Sequence, residues 1–445
     1  MPELISSANI RRGTIEILSS SQVVTYVLLG IGIILLAARV VGGLFVRIGQ
    51  PRVVGEIIAG ILLGPTVLGS FSADLFPAQS LEVLVAVGQI GLLLFSFLIG
   101  LELEIVALKH NLRTVLLVGV GVVGVPFASA FAIAPALENE TFQVPGTSST
   151  GFILFVGAML AVTALPVMVR ILQEKGLTLS RLGAVGIAAA AVTTVAMFVT
   201  ASVAASVSTG ATTGSILLKV GLIALYLIGM LTIGRALLRQ VAVVFRRTAQ
   251  MSTGLNGTQM STGLNGIQMS TGLYVTIFLV IVASGLAAHM LGLTVIVGGF
   301  MAGVVLPIRK PLFAIFDSRL GDLTAAVLLP IFLAVSGLAT DFRQLTAEAI
   351  PGLLLLVVAG IASKWIGGAV MARAGGLTWP EGNVIGVLMS CRGLLVLVVA
   401  LVGLRAGIIT PVMQLGAVLM ALITTAMTGP LFDATLRKVP DRVDH

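Results

Sequence analysis

Three charged residues interrupt long apolar runs of the sequence and are the first candidates for chemistry: Glu56, Lys364 and Arg392. An ionisable group in an apolar segment is costly, so such groups are usually paired with each other or take part in moving ions or protons. Thr163 and Pro166 interrupt another apolar run. A proline inside a helix removes a backbone hydrogen bond, so this site is either a simple kink or a cavity where freed carbonyls coordinate an ion.

The composition indicates that membrane helices must position these residues. Of 445 residues, 57% are hydrophobic and 10% are charged, whereas a soluble domain is about 45–50% apolar. The net charge of +8 comes from basic residues that lie singly between apolar runs. This pattern is typical of cytoplasmic loops and does not indicate a nucleic-acid surface. One cysteine and three scattered histidines exclude a disulfide framework and a cysteine or histidine metal site.

Runs of about 20 apolar residues, with about 17 tolerated, mark the membrane spans. The sequence predicts about thirteen of them: 23–41, 54–69, 83–101, 114–137, 151–172, 183–207, 216–238, 273–289, 293–306, 323–338, 350–372, 383–404 and 411–432. Lys and Arg concentrate in alternate loops, beginning with the loop after the first span, and the positive-inside rule places these loops in the cytoplasm. The N-terminus is then outside and the C-terminus cytoplasmic, and no cleavable signal peptide is apparent.

The domain organisation predicted from these spans is simple. One transmembrane domain covers 21–432, preceded by an N-terminal segment, 1–20, and followed by a cytoplasmic tail, 433–445. Near residue 251 the sequence MSTGLNGTQ begins a nine-residue repeat. Calcium-binding repeats of this period need Asp ligands, which these repeats lack. We therefore interpret 239–271 as a flexible cytoplasmic loop.

Seven motifs follow one another along the chain: PRVVGEIIAGILLGPTVLG at 51–69, LLFSFLIGLELE at 93–104, AVTALPVMVRILQEKG at 161–176, HMLGLTVIVGGFMAGVVLP at 289–307, PIFLAVSGLATD at 330–341, KWIGGAVMARAGG at 364–376 and SCRGLLVLVVALVGLRAGIIT at 390–410. Together they resemble the monovalent cation/proton antiporters, specifically the bacterial branch of sodium/proton exchangers and potassium-efflux proteins. The resemblance implies an all-α fold of thirteen helices with inverted repeats. It also implies a dimerisation bundle, and a mobile core in which two discontinuous helices cross. Many relatives carry a regulatory nucleotide-binding domain after the last span, which we do not expect here.

The resemblance also identifies what this chain lacks. The family carries its exchanged proton on an acidic residue in the sixth span, often paired with another acid or Asn. The matching stretch GIAAAAVTTVA, 186–196, has Thr193 and Thr194 at these positions. Val396 stands where many relatives carry a further glutamate in the twelfth span. A hydroxyl cannot carry a proton at neutral pH, so the usual mechanism lacks its carboxylates.

The remaining charged residues are the alternatives for that role. Lys364 matches a basic residue that pairs with the missing acid in many relatives. A buried ammonium without a counter-charge is costly, so the amine could release its proton and act as the carrier, pair elsewhere, or snorkel to an interface. Glu56 with Arg392 or Lys364 is a candidate structural ion pair.

Three functions stay open on this basis. The first is a secondary transporter, a homodimer in the cell inner membrane, that exchanges Na⁺, K⁺ or an ionophore–cation complex for H⁺. Thr193, Thr194 and unwound backbone near Thr163 would supply its oxygen ligands. Lys364 or Glu56 would be the titrating group that carries the exchanged proton. The second is an antiporter-fold protein that has lost exchange and binds or exports a lipophilic small molecule, and the third is a membrane enzyme. The resemblance favours the transporter, and we expect no cofactor.

Overall fold

The computed structural model of the chain describes residues 18–102, 111–178, 180–208, 211–236, 238, 271–306, 316–393 and 395–439. These residues are predominantly helical, and an isolated antiparallel bridge between Gln143 and Ile409 is the one β-type pairing among them. The predicted all-α class is confirmed. Almost all of the predicted loop 239–271, most of segment 1–20 and the end of the tail lie outside the described residues.

The α-helices in the described ranges are labelled in chain order. They are α1 (Ser20–Arg47), α2 (Arg52–Leu63), α3 (Pro65–Leu68), α4 (Phe71–Leu75), α5 (Ala78–Glu102), α6 (Leu112–Leu137), α7 (Ser149–Ala161), α8 (Leu165–Glu174), α9 (Arg181–Ser208), α10 (Thr213–Gly229), α11 (Thr271–Met290), α12 (Val295–Val305), α13 (Leu329–Leu338), α14 (Ile350–Ala374), α15 (Trp379–Ser390), α16 (Leu395–Arg405) and α17 (Pro411–Leu436). Short π-helical segments extend α10 (Met230–Gly234) and precede α13 (Asp317–Gly321 and Thr324–Leu328).

The length and hydropathy of these helices make the protein an integral membrane protein. Eight described helices, counting α13 with its π-helical turns, are long and apolar enough to cross a membrane, and α15 with α16 adds a ninth if the bent pair is one span. All thirteen predicted segments overlap helices. The predicted count of thirteen spans is not confirmed, because at most nine spans among the described residues meet this criterion, and α7, α12 and Tyr274–Met290 of α11 are shorter apolar helices.

Helix starts follow capping signals that hydropathy does not detect. Thr378 caps α15 by accepting a hydrogen bond from the Glu381 backbone, and the Glu381 side chain accepts one from the Thr378 backbone. This reciprocal capping box satisfies two of the N–H groups that a helix start leaves without a helical partner. The predicted span began at residue 383 because the charge of Glu381 lowers the local hydropathy, whereas the helix begins at Trp379.

The chain divides into two compact units: Met1–Gly91 with Glu104–Ile216 and Ala325–His445, and Leu92–Leu103 with Leu217–Thr324. Each unit buries a short glycine-rich helix against a neighbour. In the first unit, a Cβ on Gly60 of α2 would overlap the backbone of Ala334 in α13. In the second unit, a Cβ on Gly299 of α12 would overlap the carbonyl of Leu93 in α5. Glycine is required at both contacts because two helix backbones touch there.

Candidate functional site

The first element of the site is a break between α7 and α8 in the first unit. Helix α7 ends at Ala161 and α8 begins at Leu165, so Val162, Thr163 and Ala164 form a non-helical segment. Pro166 lies in the first turn of α8, where the missing N–H of proline is tolerated. It also cannot donate to the carbonyl of Val162 four residues earlier. The predicted interruption therefore exists, but it is a full break that precedes the proline and not a simple kink.

The second element is a break between α15 and α16 in the same unit. Helix α15 ends at Ser390, α16 begins at Leu395, and their axes differ by 49°. Gly393 has a φ of +45°, in the left-handed region that favours glycine. A Cβ on Gly393 would lie 2.7 Å from the Cβ of Ala164. The predicted span 383–404 therefore contains a break, which its apolar composition does not reveal.

The two breaks are joined by a backbone hydrogen bond. The amide of Ala164 donates to the carbonyl of Cys391 over 2.9 Å. Each break thus satisfies part of the backbone that the other leaves without a helical partner, as buried non-helical backbone requires. This contact confirms the two discontinuous crossing helices that the resemblance implies.

Lys364 lies at this crossing. It belongs to α14, none of its surface is exposed, and its Nζ donates a hydrogen bond to Oγ1 of Thr163 in the first break. Thr163 is also fully buried. Lys364 therefore does not snorkel to an interface. The structure brings together two of the predicted site residues, an amine and a hydroxyl from different helices.

Arg392 provides a second buried cation, in the second break. Its side chain is 0% exposed, Nη1 donates to the carbonyl of Met159 over 2.8 Å, and Nη2 donates to the carbonyl of Gly360. Gly360 lies one helical turn before Lys364 on α14. Arg392 is therefore close to Lys364, and the positive charges of these two side chains repel each other. Nε of Arg392 has no hydrogen-bond partner in the described part of the chain.

The structure records no ion pair between Glu56 and either Arg392 or Lys364, the candidate partners that the sequence suggested. Glu56 lies on α2 and is 2% exposed, beside Gly42 of α1, where an added Cβ would be 3.5 Å from its Cγ. Arg392 and Lys364 form no ion pair with any acid among the described residues, because backbone carbonyls and the Thr163 hydroxyl accept their hydrogen bonds.

Thr193 and Thr194 are buried on α9, at 1% and 4% exposure. Both hydroxyls donate to the carbonyl of Ala190 in their own helix, over 3.0 and 2.7 Å. Serine and threonine inside helices commonly bond back to the preceding turn in this way. The structure records no hydrogen bond from these described hydroxyls to Lys364. Their predicted role as cation ligands stays a prediction.

Sequence reasoning missed the groups that hold Arg392 and the second break. Met159 and Gly360 act through backbone carbonyls, which every residue has, so no side-chain pattern could identify them. Thr425 of α17 is fully buried, and its Oγ1 accepts a hydrogen bond from the amide of Gly393 over 3.3 Å. The only sequence signal for Thr425 is a hydroxyl in an apolar span.

Two broken helices that cross around a buried amine define a multi-span membrane protein of the secondary-transporter class. A family model described as "Sodium/hydrogen exchanger, transmembrane" matches residues 32–438, and the chain belongs to this family. The family is one of transporters and not of enzymes.

Similar proteins carry antiporter names. The Na(+)/H(+) antiporter NhaS4 of Synechocystis sp. is 35% identical over 411 residues, covering 91% of this chain and 96% of that protein. The K(+)/H(+) antiporter 1 of Saccharomyces cerevisiae is 31% identical over 424 residues, and this chain spans 46% of its length. The sodium proton antiporter MjNhaP1 of Methanocaldococcus jannaschii has a similar structure, with a TM-score of 0.60 and 14% identity over 93% of this chain and 97% of that one. This last likeness shows the fold alone. The small-molecule alternative is not favoured by these relatives.

Proposed function

We propose that the protein is a monovalent cation/proton antiporter in which Lys364 carries the exchanged proton. The observation that carries this proposal is the hydrogen bond from Lys364 to Thr163 inside the first break. The names of the relatives, Na(+)/H(+) and K(+)/H(+) antiporters, support the reaction class. They leave the choice between Na⁺ and K⁺ open to measurement.

The proton on Lys364 and the transported cation would be coupled because they compete for Oγ1 of Thr163. When Lys364 is protonated, its ammonium occupies Oγ1 of Thr163 as a hydrogen-bond donor. When Lys364 is neutral, that oxygen and the carbonyl of Val162, which Pro166 cannot satisfy, are available as ligands for a hard monovalent cation. A cation and an ammonium proton would repel each other at this distance in a buried site. Binding of one ion therefore favours release of the other, as exchange requires.

Thr193 and Thr194 could complete the cation shell without breaking their hydrogen bonds within α9. Each hydroxyl oxygen keeps acceptor capacity while its proton is donated to Ala190. Movement of α9 relative to the break would bring these oxygens into the shell. We assign them a secondary role, because their observed hydrogen bonds are satisfied within α9.

The membrane setting follows the same proposal. We infer a homodimer in the cell inner membrane, with the N-terminus outside and the C-terminus in the cytoplasm. The charge bias of the loops supports this orientation. Cysteine labelling of an introduced Ser19→Cys site in intact cells tests it, and labelling from the cytoplasmic side alone would contradict it.

Proton flux in proteoliposomes tests the function. We expect the native protein to move protons when Na⁺ or K⁺ is added, and Lys364→Met to abolish this flux. Lys438→Met is the matched control, because Lys438 is an exposed lysine after α17, and it should retain native flux. Flux that survives Lys364→Met would overturn the assignment of the carrier. Silence in the native protein, with flux in Thr194→Asp, would mean that exchange has been lost.

A further inference from the structure

We propose that the second break holds a small monovalent anion, of the chloride class, as the counter-ion of Arg392. The proposal rests on Arg392 and its surroundings. It is therefore independent of whether Lys364 carries a proton.

The hydrogen-bond inventory of the second break contains more donors than acceptors. A guanidinium has five N–H donors, and Arg392 uses two of them on the carbonyls of Met159 and Gly360. Its Nε is buried and has no acceptor among the described residues. Oγ1 of Thr425 accepts the amide of Gly393, and the structure records no hydrogen bond donated by this hydroxyl within the described residues. A buried donor without an acceptor costs about 1–3 kcal/mol, and more when the donor is charged.

The unbalanced positive charge of Arg392 also favours a bound anion. Arginine stays protonated in proteins, so the positive charge of Arg392 is permanent although its side chain is fully buried. No described acid pairs with it, and two neutral carbonyls do not balance a full charge. A protonated Lys364, or a cation bound in its place, would add a second positive charge nearby. In either state an anion beside Arg392 would lower the energy of the site.

These features select the chemistry of the ligand. An anion accepts several hydrogen bonds and supplies the missing negative charge, whereas a water molecule supplies acceptors but no charge. The Thr163 hydroxyl oxygen in the first break suits a cation, whereas the side-chain donors of Arg392 and Thr425 at the second break suit an anion. The hydrogen bond from the amide of Ala164 to the carbonyl of Cys391 places the two breaks side by side.

Chloride titration of the purified full-length protein in detergent tests the proposal. Choline chloride replaces choline gluconate at constant ionic strength, so that neither Na⁺ nor K⁺ is present, and thermal unfolding is followed by tryptophan fluorescence. We expect the midpoint temperature to rise and saturate with chloride, because a ligand that binds the folded state stabilises it. Binding of radioactive chloride to immobilised protein should show one saturable site per chain.

Variants separate this site from general salt effects. Arg392→Gln should abolish chloride binding, and Thr425→Val, which keeps the buried volume, should weaken it about 10-fold if one hydrogen bond to a charged group is lost. Arg343→Gln is the control, because Arg343 lies outside the crossing and bonds to Asp341, and it should bind chloride like the native protein. If Arg392→Gln does not fold, Thr425→Val carries the test.

Acetate in place of chloride distinguishes a halide from a carboxylate group as the source of the anion. Stabilisation by chloride alone, or by both anions, supports the site. No saturable chloride binding, or binding that Arg392→Gln and Thr425→Val leave unchanged, overturns it. Cation-coupled proton flux in a protein that binds no chloride would contradict the anion site at Arg392 and leave the proposed antiport function unchanged.

Discussion

Lys364 of α14 donates a hydrogen bond to the hydroxyl of Thr163, the central residue of the break between α7 and α8. The two residues are 201 positions apart in the sequence, and both are fully buried. In the proposed mechanism, this oxygen is shared between the Lys364 amine and a bound cation. The proposed coupling of cation and proton rests on this single oxygen.

Thr163→Val tests the role of that oxygen. Valine keeps the shape of threonine but removes the oxygen, so a bound cation would lose a ligand, and an interaction of a charge with one polar group is worth about 1.5–3 kcal/mol. We expect the apparent cation affinity in proteoliposomes to fall about 10-fold or more. Thr163→Ser keeps the oxygen and should stay close to native. Native affinity in the valine variant would contradict the shared-oxygen account.

The double variant Thr193→Val/Thr194→Val tests the secondary role of the α9 hydroxyls. Both hydroxyls donate to the carbonyl of Ala190, and the structure records no hydrogen bond between either hydroxyl and Lys364. We expect cation-coupled proton flux within a few-fold of native, and unfolding free energy within about 1 kcal/mol. Flux measured in the same vesicles as the native protein checks this. Complete loss of flux, with a normal melting curve, would make these threonines primary ligands.

Gly393→Ala tests the packing of the two breaks against each other. A Cβ at this position would be 2.7 Å from the Cβ of Ala164 and from Cγ2 of Val167, at a φ of +45°. Gly407→Ala is the matched control, because Gly407 has a φ of +65° and no atom within 4 Å of an added Cβ. Backbone strain costs each variant about 1 kcal/mol or more. Overpacking should cost Gly393→Ala about 1–3 kcal/mol beyond that.

Thermal unfolding and proton flux of the two glycine variants test whether the contact between the breaks is required. We expect Gly393→Ala to lose stability and flux together, and Gly407→Ala to keep its flux. Equal behaviour of the two variants would mean that the contact between the breaks is not required.

The pair Asp341–Arg343, between α13 and α14, predicts a pH effect. The Arg343 side chain donates to Asp341, and this hydrogen bond lowers the pKa of the Asp341 carboxyl. A carboxyl with a lowered folded-state pKa stabilises the fold above its unfolded pKa of about 3.9. That stabilisation disappears as the pH falls through the lowered value. Arg343 is largely exposed, so the contribution is below about 1 kcal/mol.

Asp341→Asn should therefore melt slightly below the native protein at pH 7, with the gap narrowing below about pH 4. Paired melting curves from pH 7 to pH 3 check this expectation. A gap that is constant or widens toward pH 3 would contradict it.

The positions of the helices could be predicted from the sequence because membrane helices must be long and apolar. The break near Thr163 was predicted for the same reason, since Pro166 and Thr163 interrupt an apolar run. The resemblance implied a second discontinuous helix, but no sequence feature located its break. Its backbone turn depends on Gly393 with positive φ in a stretch that is otherwise suitable for a continuous helix.

The partners of the buried charges could not be predicted. An intramembrane arginine and an intramembrane glutamate suggest an ion pair, but carbonyls of Met159 and Gly360 accept from Arg392 instead. Backbone acceptors become available only where helices break or cross, so they are a property of the fold. That Thr193 and Thr194 stand where the family carries acids stays a prediction from the resemblance, whereas the proximity of Lys364 to Thr163 required the structure.

Proton release on cation binding is the most direct test of the central claim, that a cation displaces the proton of Lys364. The purified protein is placed in a weakly buffered detergent solution with a pH-sensitive dye, and NaCl or KCl is added against choline chloride. The account predicts release of up to one proton per bound cation in the native protein and none in Lys364→Met, with Lys438→Met behaving as native. Equal proton release by the native protein and Lys364→Met would contradict it.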